Sequence, residues 1–172
     1  MTTSGPILYL FSGLPGAGKT ALARRLAQQR RAAYLRIDTV EQGLRDLCGL
    51  DVQGEGYRLC YRIAADNLRL GLSVVADCCN PIELTRREWE RTALAAGAEF
   101  RNIEVGCSDA GEHRRRVEAR VSDVPGLAPP SWPEVQARRY DPWGAAEVIR
   151  IDTAGEAEEQ SFARLTARLD AP

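Results

Sequence analysis

The sequence predicts an α/β fold, in which a five-stranded parallel sheet is covered by helices on both faces. Five short apolar segments alternate with amphipathic helical segments along the chain, and this alternation is typical of parallel sheets with crossover helices. The length of 172 residues fits one domain with a full core, so we assign residues 1–172 to a single domain. The net charge of −1 at pH 7 disfavours a general binder of polyanions.

The predicted strands are short, and each is followed by a turn or by the start of a helix. They span residues 7–12, 33–37, 72–77, 100–105 and 148–152. The predicted helices span 18–30, a short segment through about 48, 57–70, 81–96, 109–121, about 133–140 and 157–169. Apolar residues recur at helical spacing in these segments, for example Leu59, Ile63 and Leu68. Right-handed crossovers place the carboxyl ends of the strands on one side of the sheet, where we expect the functional face.

The most informative stretch is GLPGAGKT, residues 13–20. It lies between the first strand and the first helix, which is the strand–GxxxxGK[ST]–helix arrangement of a P-loop. The glycines let backbone N–H groups point at an anion, and the helix N-terminus adds partial positive charge. Lys19 is expected to reach the β- and γ-phosphates of a nucleotide, and the Thr20 hydroxyl is expected to bind Mg²⁺. The predicted nucleotide contacts are Gly13, Pro15, Gly16, Ala17, Gly18, Lys19, Thr20 and Ala21.

Composition adds support for Lys19, because it is the only lysine in a chain that has 22 arginines. A compact ammonium group fits a phosphate-binding loop where a wide guanidinium would crowd it. The one retained lysine therefore favours a functional role at this position.

Two acidic residues end predicted strands close to this loop. Asp77 ends the third strand and is predicted to hold Mg²⁺ directly or through water; alternatively, it caps the following turn. Asp38 ends the second strand, 19 positions after Lys19, where a carboxylate could take the proton from an acceptor hydroxyl. Alternatively, Asp38 is the N-cap of the next helix and forms a capping box with Glu41, and one residue could do both.

Residues from about 109 to 140 are predicted to form a small helical lid. Asp109 can cap a strongly charged helix, which a segment rich in proline and glycine follows. Arg116 and Arg120 lie four positions apart, on one helix face, and closure of the lid would bring them onto a transferred phosphoryl group. Alternatively, this is a solvated helix whose arginines pair with Glu112 and Glu118.

Several polar and aromatic residues are candidates for contacts with an acceptor. Trp132, Tyr140 and Trp143 surround the segment after the charged helix and either line an acceptor pocket or fix the lid to the body of the protein. Asn80 follows Asp77 closely and is the polar candidate for contact with an acceptor. His113, the only histidine, is expected on the surface of the lid.

Residues 152–155 read D-T-A-G, which matches the D-x-x-G switch of GTPases. Here the motif closes the last strand, and an N-K-x-D guanine signature would need a second lysine, so a GTPase is rejected. The loop after the last strand of such folds usually borders the base, so we expect Thr153 to lie near adenine.

The remaining composition limits other classes of function. Five cysteines form no C-x-x-C pair, so we predict neither a disulfide framework nor a zinc site, and we expect these cysteines to be buried and reduced. A single histidine excludes a histidine metal cluster. No apolar run reaches the length of a membrane span, and no signal segment is present at the N-terminus, so we expect a cytosolic protein without membrane contact. The oligomeric state is not indicated.

With the P-loop, Asp38, Asp77 and an arginine-bearing lid in this order, the chain resembles the small P-loop kinases. The nearest group holds polynucleotide 5′-kinase, chloramphenicol phosphotransferase and zeta-toxin-type enzymes, together with proteins labelled AAA-family ATPase or predicted kinase. The resemblance implies a three-layer P-loop NTPase fold with a helical lid, ATP and Mg²⁺ as cofactors, and phosphoryl transfer to a hydroxyl of a small molecule or a nucleic-acid end. It implies Asp38 as the base and Arg116 and Arg120 as the phosphate clamp.

One departure from this group concerns Asp38, which stands alone and not in a D-x-D pair. An alternative function is an ATPase or nucleotide-binding module that acts through a protein partner. Acceptor-dependent release of ADP distinguishes the two functions.

Overall fold

The computed structural model describes residues 5–144 and 148–171; residues 1–4, 145–147 and 172 of the predicted domain lie outside the described residues. The described residues form a five-stranded parallel sheet in the order β2-β3-β1-β4-β5. Its strands are β1 (Ile7–Ser12), β2 (Ala33–Arg36), β3 (Val74–Asp77), β4 (Glu99–Gly106) and β5 (Ile149–Asp152). The predicted fold class is therefore confirmed.

Helices connect consecutive strands and cover both faces of the sheet. They are α1 (Lys19–Arg30), α2 (Ile37–Cys48), α3 (Glu55–Arg69), α4 (Glu83–Ala95), α5 (Ala110–Glu118), α6 (Trp132–Ala137) and α7 (Glu158–Leu169). Asp109 is the N-cap of α5, as predicted, and accepts the N–H of Glu112. The helix ends at Glu118, three residues before the predicted Val121, and Ala119 is its C-cap.

Alternating side chains of the central strand β1 divide the core into two layers. Leu8 and Leu10 pack with α3 and α4, where Trp89 is fully buried. Phe11 packs on the opposite side with Leu22 of α1 and with residues of α7. This alternation follows from the two-residue period of a strand, and it fixes the loop after β1 on a rigid support.

The cysteines differ in exposure. Cys60 and Cys78 are buried, but Cys79 and Cys107 are partly exposed and Cys48 is exposed. The expectation that all five are buried is therefore wrong for three of them, which lie at helix and strand ends and not within the apolar layers. Within the described ranges, no helix has the length and apolar character needed to cross a membrane.

Candidate nucleotide and acceptor site

The P-loop curls between β1 and α1, at the carboxyl end of the central strand. Gly13 and Gly16 have positive φ values of 139° and 82°, which residues with a side chain rarely adopt. A Cβ atom at Gly13 would lie 2.1 Å from the Val105 carbonyl oxygen, and one at Gly16 would lie 2.5 Å from Val117 Cγ2. Both positions thus require glycine, because the loop packs directly against β4 and α5.

Lys19 and Thr20 start α1 and face two cavities. The first, of about 460 Å³, also has Asp38 and Asp77 in its wall, and we call it the central cavity. The second, of about 380 Å³, we call the basic cavity; its charged side chains are Lys19, Arg24, Arg36, Arg116, Arg120 and Asp123. The Lys19 side chain is held inward, since Nζ donates to the Leu14 carbonyl at 2.8 Å and the residue is only 7% exposed.

Asp77 is buried at the end of β3 and has two polar neighbours from β2. The Tyr34 hydroxyl donates to Asp77 Oδ2 at 2.6 Å, and Arg36 Nε lies 4.0 Å from the same oxygen. Burial and the neighbouring carboxylate of Asp77 raise the pKa of the Tyr34 phenol, so the phenol remains a donor at neutral pH. Tyr34 and Arg36 were not among the predicted site residues. They are polar residues at alternate positions of a predicted strand, and this pattern is the signal that could have indicated them.

Asp38 lies in the first turn of α2, where its side chain is 43% exposed. Its Oδ2 lies 3.9 Å from Arg36 Nη2 and 3.8 Å from Arg120 Nη2. The N-cap of α2 is Arg36, and no side chain forms a capping hydrogen bond there. The alternative in which Asp38 and Glu41 form a capping box is therefore wrong, because β2 leads directly into a helix that starts one residue before Asp38.

Glu41 is a second carboxylate that the sequence analysis named only as a capping residue. It follows Asp38 by three positions, so the two side chains share one helix face, and both line the central cavity. Burial raises the pKa of the Glu41 carboxyl, although Arg45 at 3.4 Å acts in the opposite direction. The spacing of the two acids was visible in the sequence.

A third and larger cavity, of about 660 Å³, lies between α2, α3 and α4. We call it the tyrosine cavity because Tyr57 and Tyr61 form part of its wall. It shares four wall residues with the central cavity, namely Asp38, Glu41, Cys79 and Arg138. A molecule in the tyrosine cavity would therefore contact Asp38 and Glu41 at the boundary with the central cavity, which the P-loop lines on its other side.

The two predicted lid arginines have different surroundings. Arg116 donates from Nη1 to Thr153 Oγ1 at 2.8 Å and from Nη2 to the Thr153 carbonyl at 3.0 Å. It also pairs with Glu112, as the solvated-helix alternative expects. Arg120 faces Asp38 instead, and both arginines line the basic cavity.

Thr153 is buried directly after β5. Its hydroxyl oxygen lies 3.0 Å from the carbonyl oxygens of Ala17 and Gly106. Thr153 therefore connects the last strand to the P-loop and to β4, and together with Arg116 it lies at the end of the P-loop away from Asp38.

The expectation that His113 lies on the surface of the lid is wrong. The residue is buried, its Nε2 lies 2.8 Å from the Pro15 carbonyl oxygen, and its ring meets the edge of Trp132 at a centroid distance of 5.2 Å. The inner face of α5, which also carries Val117 and Arg116, thus packs against the P-loop.

Tyr140 and Trp143 contact Arg86 of α4, whose guanidinium carbon lies 5.0 Å and 4.3 Å from the two ring centroids. The Arg86 guanidinium donates to the carbonyl groups of Asp141 and Pro142 at 2.7 Å and 3.3 Å. These contacts favour the alternative in which the aromatic residues fix the end of the predicted lid to the body of the protein.

Asn80 is fully buried, and its backbone carbonyl accepts a hydrogen bond from Arg86 Nε at 2.9 Å. Its backbone N–H donates to the Tyr57 hydroxyl at 3.2 Å. The side-chain amide is buried too, and neither its nitrogen nor its oxygen has a hydrogen-bond partner among the described residues. Contact between the Asn80 amide and an acceptor stays a prediction.

The residues at the central cavity fit a nucleotide with Mg²⁺. Mg²⁺ usually binds through one or two protein oxygens and completes its shell with phosphate oxygens and water. The Thr20 hydroxyl and the Asp77 carboxylate are oxygen donors of this kind in one cavity wall. Among residues 5–144 and 148–171, no three His, Cys, Asp or Glu side chains form a group that could hold a metal alone.

Comparisons with solved structures agree with this arrangement. A gluconokinase from Sinorhizobium meliloti has 16% identity and a TM-score of 0.67, with 96% of this chain and 94% of that chain covered. The APS kinase CysC of Mycobacterium tuberculosis, in complex with AMPPNP and APS, has 18% identity and a TM-score of 0.67, with 98% and 99% covered. Kti12 from Chaetomium thermophilum, in complex with ADP-AlF3, has 22% identity and a TM-score of 0.66, with 95% and 98% covered.

These likenesses confirm that the chain has the fold of small P-loop kinases, as the resemblance predicted. No curated protein matches the chain. The profile of a family described as an AAA domain matches residues 8–142, which include the P-loop, Asp38, Asp77 and the predicted lid. The chain therefore belongs to this AAA-domain family of P-loop proteins.

Proposed function

We propose that this protein is a kinase that transfers the γ-phosphoryl group of Mg·ATP to a hydroxyl of a small molecule or a nucleic-acid end. The observation that carries the proposal is the shared wall of the central cavity, where Lys19, Thr20 and Asp77 lie with Asp38. The tyrosine cavity adjoins this wall and has room for an acceptor. Phosphoryl transfer depends mainly on holding the two substrates in contact, with the charge on the phosphoryl group stabilised.

In the proposed reaction, the acceptor hydroxyl oxygen forms a bond to the γ-phosphorus of ATP. The bond between the γ-phosphorus and the β–γ bridging oxygen breaks, and ADP leaves with the electron pair. Asp38 takes the proton from the hydroxyl. Mg²⁺, held by Thr20 and Asp77, would neutralise charge on the phosphates, and Lys19 would contribute to the same effect.

The two arginines are proposed to act at opposite ends of the nucleotide. Arg120 lies beside Asp38, so it is placed to stabilise the phosphoryl group during transfer. Arg116 lies against Thr153 and the P-loop, so it is placed to contact the adenosine end. This division gives Arg120 the larger effect on turnover and Arg116 the larger effect on nucleotide affinity.

Release of ADP from Mg·ATP tests the proposal, measured across a panel of nucleosides, sugars, aryl alcohols and 5′-hydroxyl oligonucleotides. One acceptor class is expected to stimulate release. Lys19→Ala is expected to abolish it, and Asp38→Asn is expected to lower it by about a hundredfold or more while ATP still binds. Asp46→Asn, an exposed acid on the same helix, is the matched control and should leave the rate unchanged.

Glu41→Gln is measured beside Asp38→Asn, since both acids border the two cavities. If Asp38→Asn retains transfer within about tenfold, equivalent to about 1.4 kcal/mol, and Glu41→Gln does not, then Glu41 is the base. Release of ADP that no acceptor stimulates would contradict the kinase and favour the ATPase that acts through a protein partner.

A further inference from the structure

The tyrosine cavity differs in character from the two cavities around the P-loop. Its walls include the rings of Tyr57 and Tyr61 and the aliphatic side chains of Ile82 and Leu84. The ring centroids of the two tyrosines are 6.2 Å apart and their planes are tilted by 59°. Such surfaces favour apolar or aromatic ligands, because they gain from burial of carbon surface and from ring contacts.

The hydroxyl groups of these tyrosines already have partners in the protein. The Tyr57 hydroxyl accepts the Asn80 N–H at 3.2 Å, and the Tyr61 hydroxyl donates to the Thr85 carbonyl at 3.3 Å. The carbon surface of the rings is therefore the part that remains available to a ligand. A polyol has no apolar surface that could pack on the rings, so it would gain little from this part of the wall.

The distribution of charge points in the same direction. The charged side chains in the wall of the tyrosine cavity are three carboxylates and two guanidinium groups, from Asp38, Glu41, Glu88, Arg58 and Arg138. The basic cavity, by contrast, has five cationic side chains and one carboxylate. The basic cavity therefore has a large excess of positive charge, and the wall of the tyrosine cavity has none. A phosphorylated acceptor would gain less in the tyrosine cavity than phosphates gain in the basic cavity.

We infer that the acceptor is an uncharged alcohol that carries an aromatic ring, with the ring in the tyrosine cavity and its hydroxyl beside Asp38. This inference rests on the proposed function and names its substrate class. The shared wall of the two cavities sets the required shape, since the hydroxyl must project from the ring toward Asp38 and Glu41. Nucleotides, sugar phosphates and nucleic-acid ends are excluded by the same reasoning.

Binding and transfer are measured separately with three probes, namely 2-naphthylmethanol, 6-(hydroxymethyl)-2-naphthoate and sorbitol. The first two share a ring and a hydroxyl and differ by one carboxylate. Ligand-observed NMR gives affinity in the presence of Mg·AMPPNP, and ADP release gives transfer. We expect 2-naphthylmethanol to bind at least about tenfold more tightly than the naphthoate, and sorbitol not to bind.

Two matched pairs of variants locate the site. Leu84 lines the cavity and is 64% exposed, whereas Leu94, on the same helix and 63% exposed, lies outside it. Leu84→Asn is expected to weaken 2-naphthylmethanol binding by about threefold to tenfold, and Leu94→Asn to leave it unchanged. Arg58→Gln is expected to weaken binding of the naphthoate more than binding of 2-naphthylmethanol, because only the naphthoate has a carboxylate that the Arg58 guanidinium in the cavity wall could pair with. Arg62→Gln, on the same helix but outside the cavity, should change the binding of neither probe.

The outcomes distinguish this inference from the proposed function. If 2-naphthylmethanol binds in a manner sensitive to Leu84→Asn but no phosphoryl group moves to any probe, the ligand class stands and the kinase assignment fails. If sorbitol or the naphthoate is phosphorylated and 2-naphthylmethanol does not bind, the kinase stands and the inference is overturned. A large loss of transfer in Arg58→Gln would likewise overturn it, since it would indicate an anionic acceptor.

Discussion

Replacing Tyr34 with Phe tests the contact that holds the proposed metal-binding carboxylate. The change removes a single oxygen, whose hydrogen bond to Asp77 Oδ2 is 2.6 Å long in a buried setting. Hydrogen bonds to charged groups contribute about 1.5–3 kcal/mol to stability. Arg36 remains 4.0 Å from the same oxygen, so Asp77 keeps one favourable neighbour. We therefore expect the lower end of that range, a loss of about 1.5 kcal/mol in the free energy of unfolding.

Tyr61→Phe is the matched control for this prediction. It also removes a partly buried phenol oxygen, but its partner is the neutral Thr85 carbonyl at 3.3 Å. A neutral hydrogen bond contributes about 0.5–1.5 kcal/mol, and we expect the lower end of that range for this long bond of 3.3 Å. Urea unfolding at pH 7 measures both variants, and equal slopes against urea concentration show that the same surface is exposed in each.

A double-mutant cycle with Asp77→Ala isolates the pair. We expect a coupling free energy of about 1 kcal/mol between positions 34 and 77, since the two side chains are in direct contact. Tyr34→Phe is also expected to raise the Mg²⁺ concentration needed for ADP release, because it loosens the carboxylate that we assign to the metal. Equal losses in Tyr34→Phe and Tyr61→Phe, together with a coupling near zero, would refute the reasoning.

Two further predictions concern the predicted lid. Arg86→Met is expected to lower the free energy of unfolding by about 3 kcal/mol, because it leaves three backbone carbonyl groups without their charged donor. Urea unfolding measures this change. The control is Arg87→Met, which removes an exposed ion pair and should change the free energy of unfolding by less than about 0.5 kcal/mol. Arg24 and Arg36 hold the pKa of Asp123 below its usual range, so its stabilising contribution is present above about pH 4 and is lost as the pH falls further. The protection factors of residues 119–131, which compare observed exchange rates with the intrinsic rates at the same pH, should therefore fall from pH 6 to pH 3 in the wild type and change less in Asp123→Asn. The same fall in both proteins would contradict this assignment.

The parts of the fold that follow local rules were predictable from the sequence. The five strands are short, mostly apolar runs that alternate with helical segments, and the P-loop requires glycine at positions where its backbone has positive φ. Helix ends were less accurate, as for α5, which ends at Glu118 and not at the predicted Val121. The family resemblance supplied the order of the predicted site residues along the chain. The structure then placed Asp38 and Asp77 at the ends of two adjacent strands, β2 and β3.

Contacts between distant parts of the chain were not predictable from the sequence. His113 was predicted to lie on the surface because it belongs to a highly charged helix. It instead lies on the buried face of α5, which packs against the P-loop, and it contacts the Pro15 carbonyl oxygen there. The tyrosine cavity depends on how α2, α3 and α4 pack together, and no motif describes that packing. Glu41 was assigned to a cap because the sequence did not show that β2 continues into α2 without a turn.

Arg36 links these separate elements. It is buried at the end of β2 and lies 2.8 Å from Asp123, 3.9 Å from Asp38 and 4.0 Å from Asp77. A buried guanidinium requires compensation by carboxylates, and here one carboxylate comes from the predicted lid and two from the proposed reaction site. A lid movement that separates Asp123 from Arg36 would therefore leave Asp38 and Asp77 as the two carboxylates near this guanidinium, and it would change the electrostatic potential at both. Arg120 belongs to the same predicted lid and lies 3.8 Å from Asp38, so a lid movement would change the charge around the proposed base both directly and through Arg36.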